Sequence, residues 1–118
     1  MSKTSTVELL EAGLRAEALR QQAIANNVAN LQTPKYRRLD VKFEQMLAKA
    51  MESGDDFDLE ELEPELYQPK NTAIKGDGND VNLEVEVGEL VKNSLRQKAF
   101  IRLLSKKYSQ IDQAVNNR

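Results

Sequence analysis

The stretch TVELLEAGLRAEALRQQAIANNVAN, Thr6 to Asn30, decides the fold. Its apolar residues recur every three or four positions, which places their side chains on one stripe of an α-helix. Alanine, glutamate, arginine and glutamine fill most other positions, and all of these residue types favour helix. Thr33-Pro34 ends the segment, because the residue before a proline is pushed out of the helical conformation. The sequence therefore predicts a long amphipathic helix at this end.

The other end of the chain carries a similar pattern. From Val81 to Asn116 apolar residues again recur every three or four positions, and no glycine or proline follows Gly88. Between the two ends, Val41 to Glu52 predicts a second, shorter helix, preceded by an extended connection over Lys35 to Asp40. We therefore expect a mainly α fold, in which two long terminal amphipathic helices pack as a coiled-coil-like hairpin.

The middle of the chain is acidic and rich in turn-forming residues. Between Met51 and Pro69 there are eight acidic residues and no basic one, and like charges repel one another in a solvated segment. We expect a partly flexible segment here, in which Tyr67 and Ile74 are candidates to anchor a short hairpin. The predicted organisation is an N-terminal core helix over 1-32, a loop and short helix over 33-52, the acidic segment over 53-80 and a C-terminal core helix over 81-118.

The two helical stripes also carry polar residues near their middles. Glu17 and Gln21 interrupt the first, and Ser94 and Gln97 interrupt the second. Either these residues meet in a polar layer that fixes the register of the helices, or one helix is rotated and exposes them. The residues expected to carry the helix packing are Leu10, Leu14, Ile24, Val28, Leu90, Ile101, Leu104, Tyr108 and Ile111.

Composition excludes most sites of chemistry. The 118 residues contain no histidine, cysteine or tryptophan, so the usual proton shuttle, the thiolate nucleophile and the commonest metal ligand are missing. The 17 basic residues are scattered, which does not favour nucleic-acid binding, and no apolar run is long enough to insert into a membrane. Gly76 to Asp80, GDGND, predicts a turn and not a calcium loop. We expect no enzyme, cofactor or metal.

The amino terminus, MSKTSTVELLEAG, lacks the apolar core of a cleaved secretory signal. We expect either a cytoplasmic protein or export by a route without cleavage. Two narrow stripes bury too little surface for a sizeable independent core. The sequence therefore favours a subunit that becomes ordered on assembly.

The most distinctive stretch is ANNVANLQTPKY, Ala25 to Tyr36. Asn26, Asn27 and Asn30 stand where alanine or leucine would favour the helix more. Amide side chains donate and accept hydrogen bonds without charge, which suits a tight helix junction. Asparagine also helps to end helices, so a simple cap is the alternative interpretation.

Two longer runs resemble a known family. ANNVANLQTPKYRRLDVKF, from Ala25, resembles the signature of bacterial flagellar basal-body rod proteins, an N-N-[IV]-A-N run followed by T-P-G-Y. GNDVNLEVEVGELVKNSLRQKAFIRLLSKKYSQID, from Gly78, resembles the closing helix of that family. The short length and the pattern R-x-x-D-x-x-F, at Arg37, Asp40 and Phe43, resemble its proximal-rod members. The residues that carry the family motif are Asn26, Asn27, Asn30, Thr33, Pro34 and Tyr36.

The resemblance implies a structural subunit of the proximal rod. Such proteins polymerise through their terminal helices into the drive shaft that crosses the periplasm, and they are exported without a cleaved signal. The implied partners are other rod subunits, further copies of the chain, the FliE adaptor and the flagellar export gate. A rival interpretation, from the helical pattern alone, is a cytoplasmic helical-hairpin adaptor or chaperone that binds one partner.

Three further details of the sequence bear on this resemblance. Phe43 and Leu47 match F-x-x-x-Φ, a short element in which early flagellar export substrates resemble one another. The resemblance implies that this pair docks on the export switch protein. The alternative interpretation is that the two side chains only pack locally. Where the family usually has glycine, this chain has Lys35, so we expect the turn to use an ordinary backbone conformation. Asn82 stands where the family commonly has aspartate.

Overall fold

The computed structural model describes residues 6–52 and 62–116 of the chain, in a body whose longest dimension is 66 Å. It contains three helices and two short strands within those residues. In chain order they are α1 (Thr6–Ala29), β1 (Asp40–Lys42), α2 (Glu44–Glu52), β2 (Glu65–Tyr67) and α3 (Leu83–Asn116). α1 and α3 run antiparallel side by side, which confirms the predicted mainly α hairpin.

The long helices begin and end close to the predicted positions. α1 covers all but the last residue of the predicted segment, whereas α3 begins two residues after Val81. Asn82 sets that start, because its side-chain oxygen accepts hydrogen bonds from the N–H groups of Glu84 (3.0 Å) and Val85 (3.3 Å). Asparagine is among the preferred residues for such a helix cap. Val81 is buried just outside the helix.

The prediction of a helix over Val41 to Glu52 is wrong for its first residues. β1 pairs antiparallel with β2, with Val41 opposite Leu66, and the helix begins only at Glu44. In extended backbone, alternate side chains point to the same face. Val41 and Phe43 therefore both turn towards α1, where each is at most 5% exposed. This burial outweighs the helical spacing of the apolar residues.

α1 is covered on two sides. On one side it meets α3. On the other, a cluster of buried side chains joins it to the connection that follows, with Leu19, Leu39, Leu47 and Leu62 partly buried around it. The buried members of that cluster are Ala12, Ala16, Ala23, Val41 and Phe43. The alanines of α1 thus provide a close-packed surface for the connection, in addition to raising helix propensity.

α3, in contrast, is covered on one side only. Among its residues only Glu86, Asn93 and Leu104 are buried. The side chains next to that buried line form an apolar surface, which we call the outer face of α3. Its members, each 42–55% exposed, are Leu83, Val87, Leu90, Val91, Ile101 and Tyr108.

Residues 53–61 of the predicted acidic segment lie outside the described residues. Within the rest of that range, Tyr67 belongs to β2 and pairs with Asp40, not with a strand around Ile74. The run from Gly76 forms a turn, as predicted: Gly78 N–H donates to Lys75 O at 2.9 Å, and Lys75 N–H donates to Asn79 O at 2.8 Å.

Candidate functional site

Asn27 is the centre of a polar junction between the end of α1, the connection and the start of α3. Its Nδ2 donates to Glu86 Oε1 (2.8 Å) and to Leu39 O (2.9 Å). Its Oδ1 accepts from Leu39 N–H (2.8 Å) and from the Tyr36 hydroxyl (3.0 Å). The side chain is fully buried, and all four of these bonds have ordinary lengths. Asn27 therefore acts as a junction residue between helices, as the first of the two interpretations predicts.

Two buried carboxylates at this junction are each paired with an arginine. Arg38 Nε donates to Glu86 Oε2 and Arg37 Nε to Asp80 Oδ2, both at 3.1 Å. Asp80 also accepts the backbone N–H of Arg38 at 2.6 Å. A buried charge is tolerated only when it is paired and hydrogen-bonded. The adjacent arginines thus neutralise the start of α3, a role that their sequence did not reveal.

Asn79 ties the end of α1 to the start of α3. Its Nδ2 donates to the backbone oxygens of Asn30 and Thr33, each at 2.8 Å, and its Oδ1 accepts Val81 N–H at 2.7 Å. Asn30 itself caps α1, because its Nδ2 donates back to Asn26 O at 2.9 Å. Both interpretations of the asparagines therefore hold, but at different positions.

The expectation of an ordinary backbone conformation at Lys35 is wrong. Its φ is +66°, in the left-handed region that favours glycine. Thr33 to Tyr36 form a turn closed by Tyr36 N–H and Thr33 O at 3.2 Å, and Lys35 occupies the third position, where type II turns need positive φ. Lys35 N–H donates to Asp77 O at 2.9 Å. The contact with the neighbouring turn thus accompanies a lysine in a backbone conformation that favours glycine.

The remaining motif residues lie at the edge of the junction. Thr33 Oγ1 donates to Asn30 Oδ1 at 3.1 Å, while Asn26 and Pro34 are exposed. Burial, and after it the carboxylates of Glu86 and Asp80, raises the pKa of the Tyr36 hydroxyl. The hydroxyl therefore remains a hydrogen-bond donor to Asn27 at neutral pH.

A second polar cluster, the polar seam, joins the middles of α1 and α3. Glu17 is 2% exposed and accepts hydrogen bonds from Arg96 Nε (2.9 Å) and Asn93 Nδ2 (3.1 Å), and its backbone oxygen accepts Asn93 Nδ2 at 2.7 Å. Gln97 Nε2 donates to Gln21 Oε1 at 3.2 Å. The polar-layer interpretation is therefore confirmed at these positions.

The partner within α3 differs from the predicted one. Ser94 is exposed, and Asn93 takes the place next to Glu17. Asn93 follows Glu86 by seven residues and precedes Gln97 by four, so all three share one helical face. This spacing is the signal that could have identified Asn93. Arg20 extends the seam, since it pairs with both Glu17 and Glu44.

The apolar part of the seam depends on a glycine. A Cβ atom at Gly13 would lie 2.7 Å from Cζ of Phe100, closer than carbon atoms approach one another. The bare backbone at Gly13 therefore lets the Phe100 ring lie directly on α1. Sequence reasoning overlooked this pair, because Phe100 is not on the 3–4 stripe.

The residues predicted to carry helix packing fall into two groups. Leu10, Ile24 and Leu104 are buried in the chain, and Leu14 is half-buried. Five others are 40–52% exposed: Val28, Leu90, Ile101, Tyr108 and Ile111. Polar side chains occupy much of the seam in their place. Of these five, Tyr108 still contacts α1, because its hydroxyl donates to Glu11 Oε2 at 3.2 Å. Close packing of the five apolar side chains is thus an expectation for the assembly.

The two residues of the export motif lie at the start of α2. Phe43 is 4% exposed and contacts the alanines of α1, and Leu47 is half-buried beside it. Local packing, the alternative given for this pair, therefore exists in the folded chain. Among the described residues there is no group of acidic side chains that could hold a metal ion, and no described helix is long and apolar enough to span a membrane.

Comparison with known proteins gives one consistent result. A model of the flagella basal body rod protein family matches residues 9–37, which span most of α1 and the turn that contains Lys35. The flagellar basal body rod protein FlgB of Bacillus subtilis is 24% identical over 117 residues, covering 92% of this chain and 91% of the relative. FlgB of Aeromonas hydrophila is 28% identical, covering 86% of each chain, and FlgB of Cereibacter sphaeroides is 29% identical, covering 87% and 91%.

Proposed function

We propose a mode of assembly for this chain, which belongs to the flagellar basal body rod protein family and is a structural subunit of the rod. The chain polymerises through α1 and α3, and neighbouring rod subunits cover the outer face of α3. It occupies the proximal part of the rod in the periplasm, which it reaches without a cleaved signal. The chain has a structural role and no catalytic one.

The observation that carries this proposal is the outer face of α3. Large apolar side chains line it on the first turns, from Leu83 to Val91, and again at Ile101 and Tyr108, and each is about half-exposed. Burying one such side chain completely contributes about 1.5–3 kcal/mol, so a partner that covers several of them gains substantial binding energy. Monomeric proteins rarely expose apolar patches of this length.

Val28 and Leu14 of α1 extend this surface across the helix pair. Val28 is 40% exposed and Leu14 half-buried, and both share the stripe that runs beside the polar seam. Because α1 and α3 are antiparallel, the two stripes flank one groove between the helices. A helix of a neighbouring subunit fits there, as in coiled-coil packing.

The partners follow from this mode of assembly. They are other rod subunits, further copies of this chain, the FliE adaptor and, before assembly, the flagellar export gate. The rival hypothesis of a cytoplasmic adaptor is not favoured, because the similar proteins that are named are rod proteins.

Recognition by the export gate uses Phe43 and Leu47 in the unpacked chain. Phe43 is buried against α1 in the folded protein, so it becomes available only when the connection has separated from α1. Phe43→Ala should block secretion and leave synthesis intact. Val41→Ala is the control, because Val41 belongs to the same buried cluster and lies outside the motif. Equal secretion of the two variants would contradict the export role.

Deletion tests the proposed function itself. In a strain that lacks this chain, we expect basal bodies with rings but no rod in electron micrographs, and cells that cannot swim. Intact rods and normal motility would contradict the proposal.

Point variants in the same strain test the outer face. Ile101 and Leu103 are 52% and 48% exposed, and two positions along a helix they point in nearly opposite directions. Ile101→Asp should fail to restore swimming, whereas Leu103→Asp should restore it. Secretion of both variants is measured alongside, so that a loss of export is not mistaken for a loss of assembly. Restoration by Ile101→Asp would exclude the outer face as the contact.

A further inference from the structure

The seven-residue repeat of α3 has a symmetric order. From Leu83 to Tyr108 its positions follow one another in alternating steps of four and three residues, and the order of steps is the same from either end. These positions are occupied by Leu83, Val87, Leu90, Ser94, Gln97, Ile101, Leu104 and Tyr108. The two polar residues stand at the centre, with three apolar residues on each side. The repeat therefore reads apolar, polar and again apolar in both directions.

Most of this repeat is open to a partner. Its exposed apolar members all belong to the outer face of α3, and Ser94 between them is exposed as well. Leu104 is buried and Gln97 half-buried, so these two lie at the inner edge of the repeat. The connection lies along a different side of α3, where it forms a groove with Arg96 and Phe100. A second chain can therefore approach the outer face without displacing the connection.

A second copy of α3 in the opposite direction matches this order layer by layer. When Leu90 faces Ile101 of the second copy, Leu83 faces Tyr108 and Ser94 faces Gln97. The hydroxyl and amide groups then meet at the centre of the contact, where each can donate to or accept from the other. A shift by one repeat would place these polar groups against apolar side chains and leave them unpaired, which costs free energy. The polar centre thus selects one register.

The charges of α3 select the direction. Residues 98–108 carry four basic side chains and no acidic one, and no ion pair joins these four to a described residue. They are Lys98, Arg102, Lys106 and Lys107. A parallel pair of helices would bring the two basic segments side by side, and like charges in contact oppose association. An antiparallel pair places each basic segment beside residues 83–91, which carry no basic side chain. Glu86 and Glu89 of that segment are paired within the chain, but Glu84 is exposed and adds attraction.

We propose that two copies of this chain pair through their outer faces outside the rod, with the two α3 helices antiparallel. The same surface serves both copies, so the contact closes into a symmetric dimer and cannot be extended into a filament. Neighbouring rod subunits need the same face, so the dimer separates before a subunit is incorporated. The dimer thus covers the apolar face before assembly. The inference goes beyond the proposed function and does not depend on it.

Introduced cysteines test both the register and the direction, since the 118 residues contain no cysteine of their own. Leu90→Cys and Ile101→Cys change positions that are 42% and 52% exposed, so both variants should fold. Helices packed about 8–10 Å apart bring facing Cα atoms within about 6 Å, which a disulfide can join. In the proposed dimer Leu90 faces Ile101, whereas the two copies of Leu90 are about 16 Å apart along the helix. An oxidised 1:1 mixture should therefore give at least about tenfold more disulfide-linked dimer on a non-reducing gel than either variant alone.

Leu95→Cys is the matched control. Leu95 is 62% exposed and lies five residues after Leu90, so it points away from the outer face. Leu90→Cys should not cross-link to it, and equal yields with Leu95→Cys and Ile101→Cys would overturn the proposal. Self-linking of Leu90→Cys would indicate parallel pairing and would also overturn it, as would a wild type that remains monomeric in sedimentation velocity at about 1 mM. These measurements use the purified chain, whereas the deletion strain decides the rod role separately.

Discussion

In α3 the covered face is polar and an exposed face is apolar, which is the reverse of an ordinary surface helix. The face that meets α1 is rich in polar groups, with Glu86, Asn93 and Gln97 in contact with α1. The face next to it is apolar from Leu83 to Val91 and again at Ile101 and Tyr108, and it is about half-exposed. An amphipathic helix of a monomer normally buries its apolar stripe. In this chain the polar face determines how the two helices align, and the apolar face is left about half-exposed.

Complete pairing makes a polar seam compatible with folding. No buried side-chain nitrogen or oxygen in the part of the chain that the structure describes lacks a hydrogen-bond partner. A fully satisfied buried network adds little net stability, but any shift in register would leave several groups unpaired. The inner face of α3 therefore contributes mainly specificity, and substitutions there should cost more than substitutions on the outer face.

The largest expected effect is at Glu86. Glu86→Leu should lower the free energy of unfolding by about 3 kcal/mol, because it leaves Arg38 and Asn27 buried without their partner. Val91→Ser, five residues along and 55% exposed on the outer face, should change it by less than about 0.5 kcal/mol. Urea unfolding followed by circular dichroism measures both. Equal losses would remove the distinction between the two faces.

A smaller loss is expected at Asn93. Asn93→Ala removes two hydrogen bonds to Glu17 and should cost about 2 kcal/mol, because a buried oxygen then loses a partner. Ser94→Ala is the control, since Ser94 is adjacent but exposed, and alanine favours the helix slightly. The same unfolding measurement applies. If Asn93→Ala were as stable as Ser94→Ala, the seam would contribute nothing to the pairing of α1 and α3.

Periodicity predicted the helices well but not which side of α3 the chain covers. The 3–4 spacing correctly located α1 and α3, since it reports an apolar stripe on each. It does not distinguish a stripe buried within one chain from a stripe that another copy buries. Leu90 and Ile101 were therefore expected to pack, and they are exposed. Asn93 was missed because it lies off the apolar stripe.

The connection was predicted less well, because long-range contacts determine it. Val41 and Phe43 are extended since α1 offers a surface for both, which local propensity does not record. Asp80 and Glu86 pair with arginines more than 40 residues away in sequence. The motif from Asn26 to Tyr36 was recognised as special, yet only the structure separates the junction residue Asn27 from the cap residue Asn30.

A pair of glycines sharpens the comparison of the two faces. Gly88→Ala should raise the free energy of unfolding by about 1 kcal/mol, because nothing lies near its Cβ position and alanine favours helix. Gly13→Ala should instead lower it by about 1 kcal/mol, since the displaced Phe100 ring outweighs the gain in propensity. Phe100→Ala supplies the control: in its background Gly13→Ala should become stabilising, and a double-mutant cycle measures the coupling. A stabilising Gly13→Ala in the wild type would mean that the seam is loosely packed.

The smallest expected effect is at Lys35, at the end of the polar network. Positive φ costs a residue with a side chain about 1 kcal/mol or more, whereas glycine adopts it freely but loses more backbone entropy on folding. Lys35→Gly should therefore raise the free energy of unfolding by only about 0.5 kcal/mol. Lys35→Ala removes the same charge and keeps the strain, so it should give no gain. If both variants raised the free energy of unfolding equally, the removal of the lysine charge would be the cause. The network around Asp77 and Asp80 would then not be holding a strained backbone. A gain from glycine alone would mean that the polar interior fixes even an unfavourable conformation.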